Sequence, residues 1–374
     1  MQPEGGYIMP EIRYRSNVRI SGLGNYQPSP RETVLNPPTA GISGIKGTVL
    51  NPPIAGVNDI SYYSGSREII RDEKRLALVR KRQELESKVM TVDQVADKIL
   101  QALREQRGFS IIRLGDAEIL TLAQDTVFPT SINVPAWGDL MAELCRDPLL
   151  GKGDNNEVVR WRDMMHTSGV DYPDLQVRDQ LAQAVKSASL IGIPVRNRPG
   201  RSRAHLKLVE GFQTVLLEEF QLLNLNPEKM QFGDSALHYL LYTSGWMNRI
   251  LFPGNYPQIA QRYSFPPGYR PEVLLVGNRA GELAELMGPQ GLRISGVIKP
   301  VGLNNIDETM AAISRHSFDI ALMAAGIAAK ILCPATAERM GRVAIDAGHL
   351  FDLLVDHHRH LDPQRTRIPY EWML

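Results

Sequence analysis

Chemistry in this chain must come from the few polar residues that follow its apolar runs. Arg113 precedes Asp116 and Glu118, two carboxylates separated by Ala117. Farther on stand Arg196 and Asn197, then Gly277, Asn278 and Arg279, then Gly326, and finally Asp346, Gly348 and His349. Paired carboxylates, basic groups and glycines at helix starts suit an anionic ligand that brings phosphate together with a divalent cation. Carboxylate oxygens hold a hard cation such as Mg²⁺ or Mn²⁺ and leave positions open for phosphate oxygens. Helix N-termini, lysine and arginine take the phosphate itself. A D-x-E triplet alone is commonly a cap or a solvated turn. Its place at the end of an apolar strand gives this one weight.

Other polar clusters carry less. Four of the eight histidines stand at 349, 357, 358 and 360. Histidine ligands need a fixed scaffold and partners for their second nitrogen. The chain between Leu361 and Pro369 is loop-like, so His357, His358 and His360 read as surface, whereas His349 follows an apolar run and a glycine. Cys145 and Cys333 read as packing residues. Ser235, in Phe232-Gly233-Asp234-Ser235-Ala236, does not sit in a G-x-S-x-G elbow. The run from Val273 to Leu283 has the outline of a first methyltransferase motif. However, the next strand ends at Ile298-Lys299-Pro300 with no acid for ribose hydroxyls, and G-x-G-x-x-G is absent.

The elements that would position these residues alternate. Thr91 and Gln94 form a capping-box pattern at the start of a helix through Leu103, which Gly108 is expected to end. Strands are predicted at 109–114, 189–193, 272–276, 293–298, 318–323 and 342–346, with helices through Ile119–Leu122, 280–287, 307–316 and up to Ile331. Continuous apolar strands between helices imply an α/β fold, a Rossmann-like and mostly parallel sheet with helices on both faces. In such sheets the ligand lies outside the carboxyl ends of the strands. That is where all the residues above fall.

The first 65 residues have another character. They are rich in Gly, Pro, Ser and Asn, and Thr33-Val34-Leu35-Asn36-Pro37-Pro38 recurs 15 residues later as Thr48-Val49-Leu50-Asn51-Pro52-Pro53. This reads as an extended or flexible arm. Residues 66–90 are dense in charge and lack proline after the arm, which predicts a solvated helix, with pairing to a second copy as the less favoured alternative. A catalytic domain would then span 91–374.

Composition narrows the classes. The 374 residues include 42 basic and 41 acidic side chains, a net charge of +1, which argues against bulk phosphate neutralisation on nucleic acid. No run approaches the ~20 apolar residues of a membrane span. The N-terminus lacks the apolar centre of a secretory signal. Two cysteines are too few for a disulfide framework. The expectation is a cytoplasmic protein with reduced thiols.

Three motifs in order carry a resemblance. Ile112-Arg113-Leu114-Gly115-Asp116-Ala117-Glu118 resembles the R-F-G-D-G-E segment of the GT-D glycosyltransferases, a family first catalogued as a bacterial domain of unknown function. Phe318 to Gly326, continuing to Ala329-Lys330, is a second match. Ala344-Ile345-Asp346-Ala347-Gly348-His349, with Asp352 and then Tyr370-Glu371-Trp372, resembles A-L-D-x-G-H-x-D followed by Y-E-W. Ala117 replaces the usual glycine. The resemblance implies transfer of a hexosyl or N-acetylhexosaminyl group from a nucleotide sugar, with UDP as the nucleotide, to a hydroxyl of a glycan or glycoprotein. It implies that Asp116 and Glu118 hold Mn²⁺ or Mg²⁺ at the diphosphate. His349 would lie by the donor, and Glu371 would be the general base of an inverting reaction. Two alternatives stay open: an S-adenosylmethionine methyltransferase using the Val273–Gly281 turn, and a non-catalytic nucleotide- or glycan-binding module.

Overall fold

Seven short apolar runs form one sheet in the computed structural model, which describes residues 76–124, 169–170, 174–196 and 203–358. The repeat arm, Cys145, Asn197, His360 and Glu371 lie outside these residues, as do the side chains of His357 and His358. The strands are β1 (Phe109–Arg113), β2 (Leu190–Ile193), β3 (Phe232–Asp234), β4 (Val273–Gly277), β5 (Ile294–Ile298), β6 (Ile320–Ala324) and β7 (Val343–Asp346). Their order across the sheet is β3-β2-β1-β7-β6-β4-β5. Every pairing is parallel.

The helices between them are α1 (Val92–Glu105), α2 (Asp116–Leu122), α3 (Leu175–Ser187), α4 (Arg203–Leu222), α5 (Leu237–Thr243), α6 (Trp246–Leu251), α7 (Pro257–Tyr263), α8 (Ala280–Met287), α9 (Ile306–Ile313), α10 (Gly326–Met340) and α11 (Leu350–His358). Side chains alternate along each strand between two cores. Ile112, Leu274, Val276, Ala321 and Met323 enter one, and Ile111, Val273, Leu275, Ile320 and Leu322 enter the other. Strands apolar on both sides have no solvent face, which is why they read as unbroken apolar runs.

Several expectations shift. The Thr91–Gln94 capping box is formed, but α1 ends with Gln106 in the left-handed conformation (φ 50) rather than at Gly108. The charged segment is helical over 76–87. Its end is packed rather than solvated: Leu85 is buried, and the Met90 N–H donates to the Phe232 carbonyl at 2.8 Å. The packed region therefore begins upstream of Thr91. Strand β3 was not expected. It has three residues with a central glycine, too little sequence to show a period. Helix α10 continues past Ile331 through Pro334 to Met340. It is buried on nearly all sides, and that packing outweighs the hydrogen bond that the proline removes. Cys333 on it is buried, and burial pushes its thiol well up, as a packing residue requires.

Candidate active site at the carboxyl edge of the sheet

A cleft of about 580 Å³ opens where the segments after β1, β7, β6, β4 and β5 meet. That volume lies within the usual range for small-molecule sites. Arg113, Asp116, Glu118, Asn278, Arg279, Gly326 and His349 all line it. Gly277 does not. It has φ +150, and a Cβ there would lie 2.3 Å from the Ala324 carbonyl oxygen, so its role is close packing of β4 on β6 rather than approach to a ligand. Glu371 lies outside the described residues.

The floor of the cleft is a buried box of four charges. Arg113 Nε lies 3.0 Å from Asp346 Oδ2, and its Nη1 donates to the Ser235 carbonyl at 3.2 Å. Lys330 Nζ lies 2.9 Å from Glu118 Oε1 and 3.2 Å from Asp346 Oδ2, and it donates to the Gly326 carbonyl at 3.2 Å. Asp346 is 0% exposed and Lys330 3%. Burial by itself would raise the Asp346 carboxyl, but Arg113 and Lys330 hold it below its ordinary value. Asp346 Oδ1 also accepts the Gly348 N–H at 3.0 Å. Gly348 has φ +47, and a Cβ on it would meet Arg113 Nη2 at 2.0 Å. Only glycine fits this turn, because the guanidinium fills the space a side chain needs.

Asp116 and Glu118 are not in a loop. They open α2, at its first and third positions. Residues two apart on a helix do not share a face, and the two carboxylates, though both line the cleft, have different partners. Glu118 points inward. Its Oε2 accepts the Gly115 N–H at 2.8 Å, and its Oε1 meets Lys330. Asp116 turns toward the cleft, with Oδ1 accepting the Ala117 N–H at 2.8 Å. Burial, and then the Glu118 charge, push its carboxyl up to about 6.

Burial and the Glu118 charge both oppose ionisation of Asp116, and a bound cation would favour it. Among the described residues no group of three or more His, Cys, Asp or Glu could hold a metal by itself. A hard cation can take one or two carboxylates from a protein and its remaining oxygens from phosphate and water, and Asp116 places one carboxylate at the cleft.

The opposite wall ties α8 to α11. Arg279 Nη1 lies 2.8 Å from Asp356 Oδ1 and 3.5 Å from Asp352 Oδ1, and its Nε lies 3.3 Å from Glu282. Burial opposes its charge, but Glu282 and Asp356 raise its pKa further. Asn278 Oδ1 accepts the Val301 N–H at 2.9 Å, fixing the segment after β5. At the mouth, His349 Nδ1 lies 3.1 Å from Asp352 Oδ2.

Lys330 was missed as a site residue. Its signal was a lysine inside Ile327-Ala328-Ala329-Lys330-Ile331-Leu332, a stretch otherwise fit only for a core. A lysine there is retained only when paired.

Residues 90–354 match the GT-D fold-like domain, and the chain belongs to this family. It is similar to a solved structure described as "The highly conserved domain of unknown function 1792 has a distinct glycosyltransferase fold". The identity is 16% over 74% of this chain and 84% of that one, with a TM-score of 0.42. It is also similar to a structure described as a new glycosyltransferase (DUF1792) from Streptococcus sanguinis, at 14% identity over 72% of this chain and 84% of that one, TM-score 0.42. No curated protein matches the chain. Among the described residues no helix is long and apolar enough to cross a membrane.

Proposed function

We propose that this GT-D-like protein is a metal-dependent glycosyltransferase. In this reading it moves a hexosyl or N-acetylhexosaminyl group from a nucleoside-diphosphate sugar, UDP-linked, to a hydroxyl of a glycan or glycoprotein. The single observation that carries this is the cleft. There Asp116, a carboxylate in want of a cation, shares one space with Gly326, the start of a fifteen-residue helix that has no side-chain cap. Uncapped N–H groups favour an anion, so the pair suits a cation–diphosphate.

The Asp116–Glu118 segment would hold Mn²⁺ or Mg²⁺. When bound, the metal supplies neutralisation of charge on the leaving diphosphate, which grows as the anomeric C–O bond breaks. Asp116 contributes the protein's open carboxylate oxygen. Helix α10 presents its N–H groups to phosphate oxygens. The Arg113–Asp346–Lys330–Glu118 box keeps the floor rigid and nearly neutral, and Asp116 adds a negative charge beside it. The acceptor hydroxyl must lose a proton as it attacks. Of the described groups, His349, which lines the cleft and has Asp352 at Nδ1, suits that role. Glu371 is the second candidate. A base on the side away from the leaving group gives inversion.

A thermal-shift panel of nucleotide sugars with and without Mn²⁺, set beside S-adenosylmethionine, tests the reading. The expected result is stabilisation by one class of nucleotide sugar that disappears with chelator, followed by release of UDP on incubation with acceptor. Stabilisation by S-adenosylmethionine alone would replace it with the methyltransferase alternative, and donor binding without UDP release would point to a binding module.

A further inference from the structure

We infer that the two carboxylates of the D-x-E segment have divided roles: Asp116 alone faces the divalent cation, and Glu118 is a positioning residue clamped by Lys330. This rests on the nucleotide-sugar reading above and deepens it. The first support is geometric. The two residues sit two apart in the first turn of α2, where side chains point to different sides of the helix.

The second support is the accounting of hydrogen bonds. Glu118 has one oxygen on the Gly115 N–H at 2.8 Å and the other 2.9 Å from Lys330 Nζ, and the residue is 7% exposed. Lys330 has three donors. Its Nζ donates to the Gly326 carbonyl oxygen at 3.2 Å and forms ion pairs with Glu118 Oε1 at 2.9 Å and Asp346 Oδ2 at 3.2 Å. To ligate a cation through Oε1, Glu118 would have either to give up its ion pair with the buried Lys330 or to share that oxygen between two positive charges. Asp116 carries no such obligation, since its carboxylate accepts from backbone N–H groups of its own turn, Ala117 at 2.8 Å among them. What Glu118 does is hold the Gly115 N–H, and so the backbone from which Asp116 projects.

The test is calorimetric titration of UDP into the full chain, in Mn²⁺ and in chelator. The ratio of the two dissociation constants is the metal effect. In the unaltered protein it should be about tenfold or more, within the usual range of coupling between ligands. Asp116→Asn should reduce it to about one. Glu118→Gln alone leaves a buried lysine underpaired and risks the fold. The decisive variant is therefore Glu118→Gln with Lys330→Met, which removes both charges together and keeps an acceptor for the Gly115 N–H. It should keep the metal effect within about threefold. Glu118→Ala with Lys330→Met, which lacks that acceptor, should lose most of it.

Loss of the effect in the Gln–Met pair, or its survival in Asp116→Asn, overturns the division of roles. Full retention in the Ala–Met pair overturns the positioning role. If the unaltered protein binds UDP no better with Mn²⁺, the nucleotide-sugar reading itself falls, which is a different result from any of these.

Discussion

Asp116→Asn should make the protein more stable at neutral pH even as it removes the carboxylate proposed to hold the cation. In the folded protein the Asp116 carboxyl is raised from 3.8 to about 6, first by burial and then by Glu118. Between those two values the folded state holds more protons than the unfolded state, so stability falls as pH rises through that window. Each pKa unit corresponds to about 1.4 kcal/mol, and the full shift to about 3 kcal/mol. The side chain keeps some contact with water in the cleft, so a gain of about 1–3 kcal/mol is expected for the variant at pH 8. For a domain of this size that is a rise of roughly 3–10 °C in Tm. Asparagine retains an acceptor for the Ala117 N–H, so the start of α2 should survive. Urea unfolding in chelator, followed by circular dichroism between pH 4 and pH 8, measures the difference directly. The two proteins should match near pH 4 and diverge as pH rises through about 6. A constant difference across that range, or a variant less stable at pH 8, would refute the reasoning that Asp116 is held charged at a cost that a cation relieves.

Two further outcomes concern the box of charges and its turn, and one concerns the acceptor's proton. Lys330→Met should cost about 3–5 kcal/mol, because it leaves Glu118 and Asp346 without a shared cation in a buried site; adding Glu118→Gln should recover a good part in the same urea assay. Gly348→Ala forces a side chain into the left-handed region at a cost of about 1–2 kcal/mol. It also drives a Cβ against Arg113 Nη2, so a total loss of ~2–4 kcal/mol is expected, of which only the part beyond the backbone cost, about half, should vanish in a double-mutant cycle with Arg113→Ala. Turnover in His349→Gln should fall about 10²-fold with donor affinity little changed if His349 takes the acceptor's proton, and the same holds for Glu371→Gln if that residue does. Near-normal kcat in either variant removes that residue from the step.

Much of this site could be read from the chain because parallel α/β sheets concentrate their chemistry at strand ends. Finding β1, β4, β6 and β7 by their apolar runs was enough to gather Arg113, Asp116, Asn278, Gly326 and His349 beside one cleft. The same reading failed where sequence carries no local signal. Strand β3 is too short to show alternation, and it is defined only by pairing with β2. Gly277 looked like a ligand-facing glycine because packing and ligand approach both demand a missing side chain. Arg279 looked free for phosphate, but its three carboxylate partners, Glu282, Asp352 and Asp356, come partly from α11, some seventy residues away. That Asp116 and Glu118 have different partners was legible in principle. It needed only the observation that both lie inside a helical first turn, where a spacing of two separates side chains rather than pairing them.

In the function proposed above, Asp116 and the start of α10 together receive a cation-bound nucleoside diphosphate. The most direct test is a crystal of the full chain grown with Mn²⁺ and UDP, with diffraction recorded so that manganese is located by its anomalous scattering. The account predicts one manganese peak bonded to an Asp116 carboxylate oxygen and to the diphosphate, with phosphate oxygens at the N–H groups that follow Gly326 and the Glu118–Lys330 pair still in contact. Manganese and UDP bound away from Asp116, or UDP in the cleft with no manganese beside it, would contradict the account.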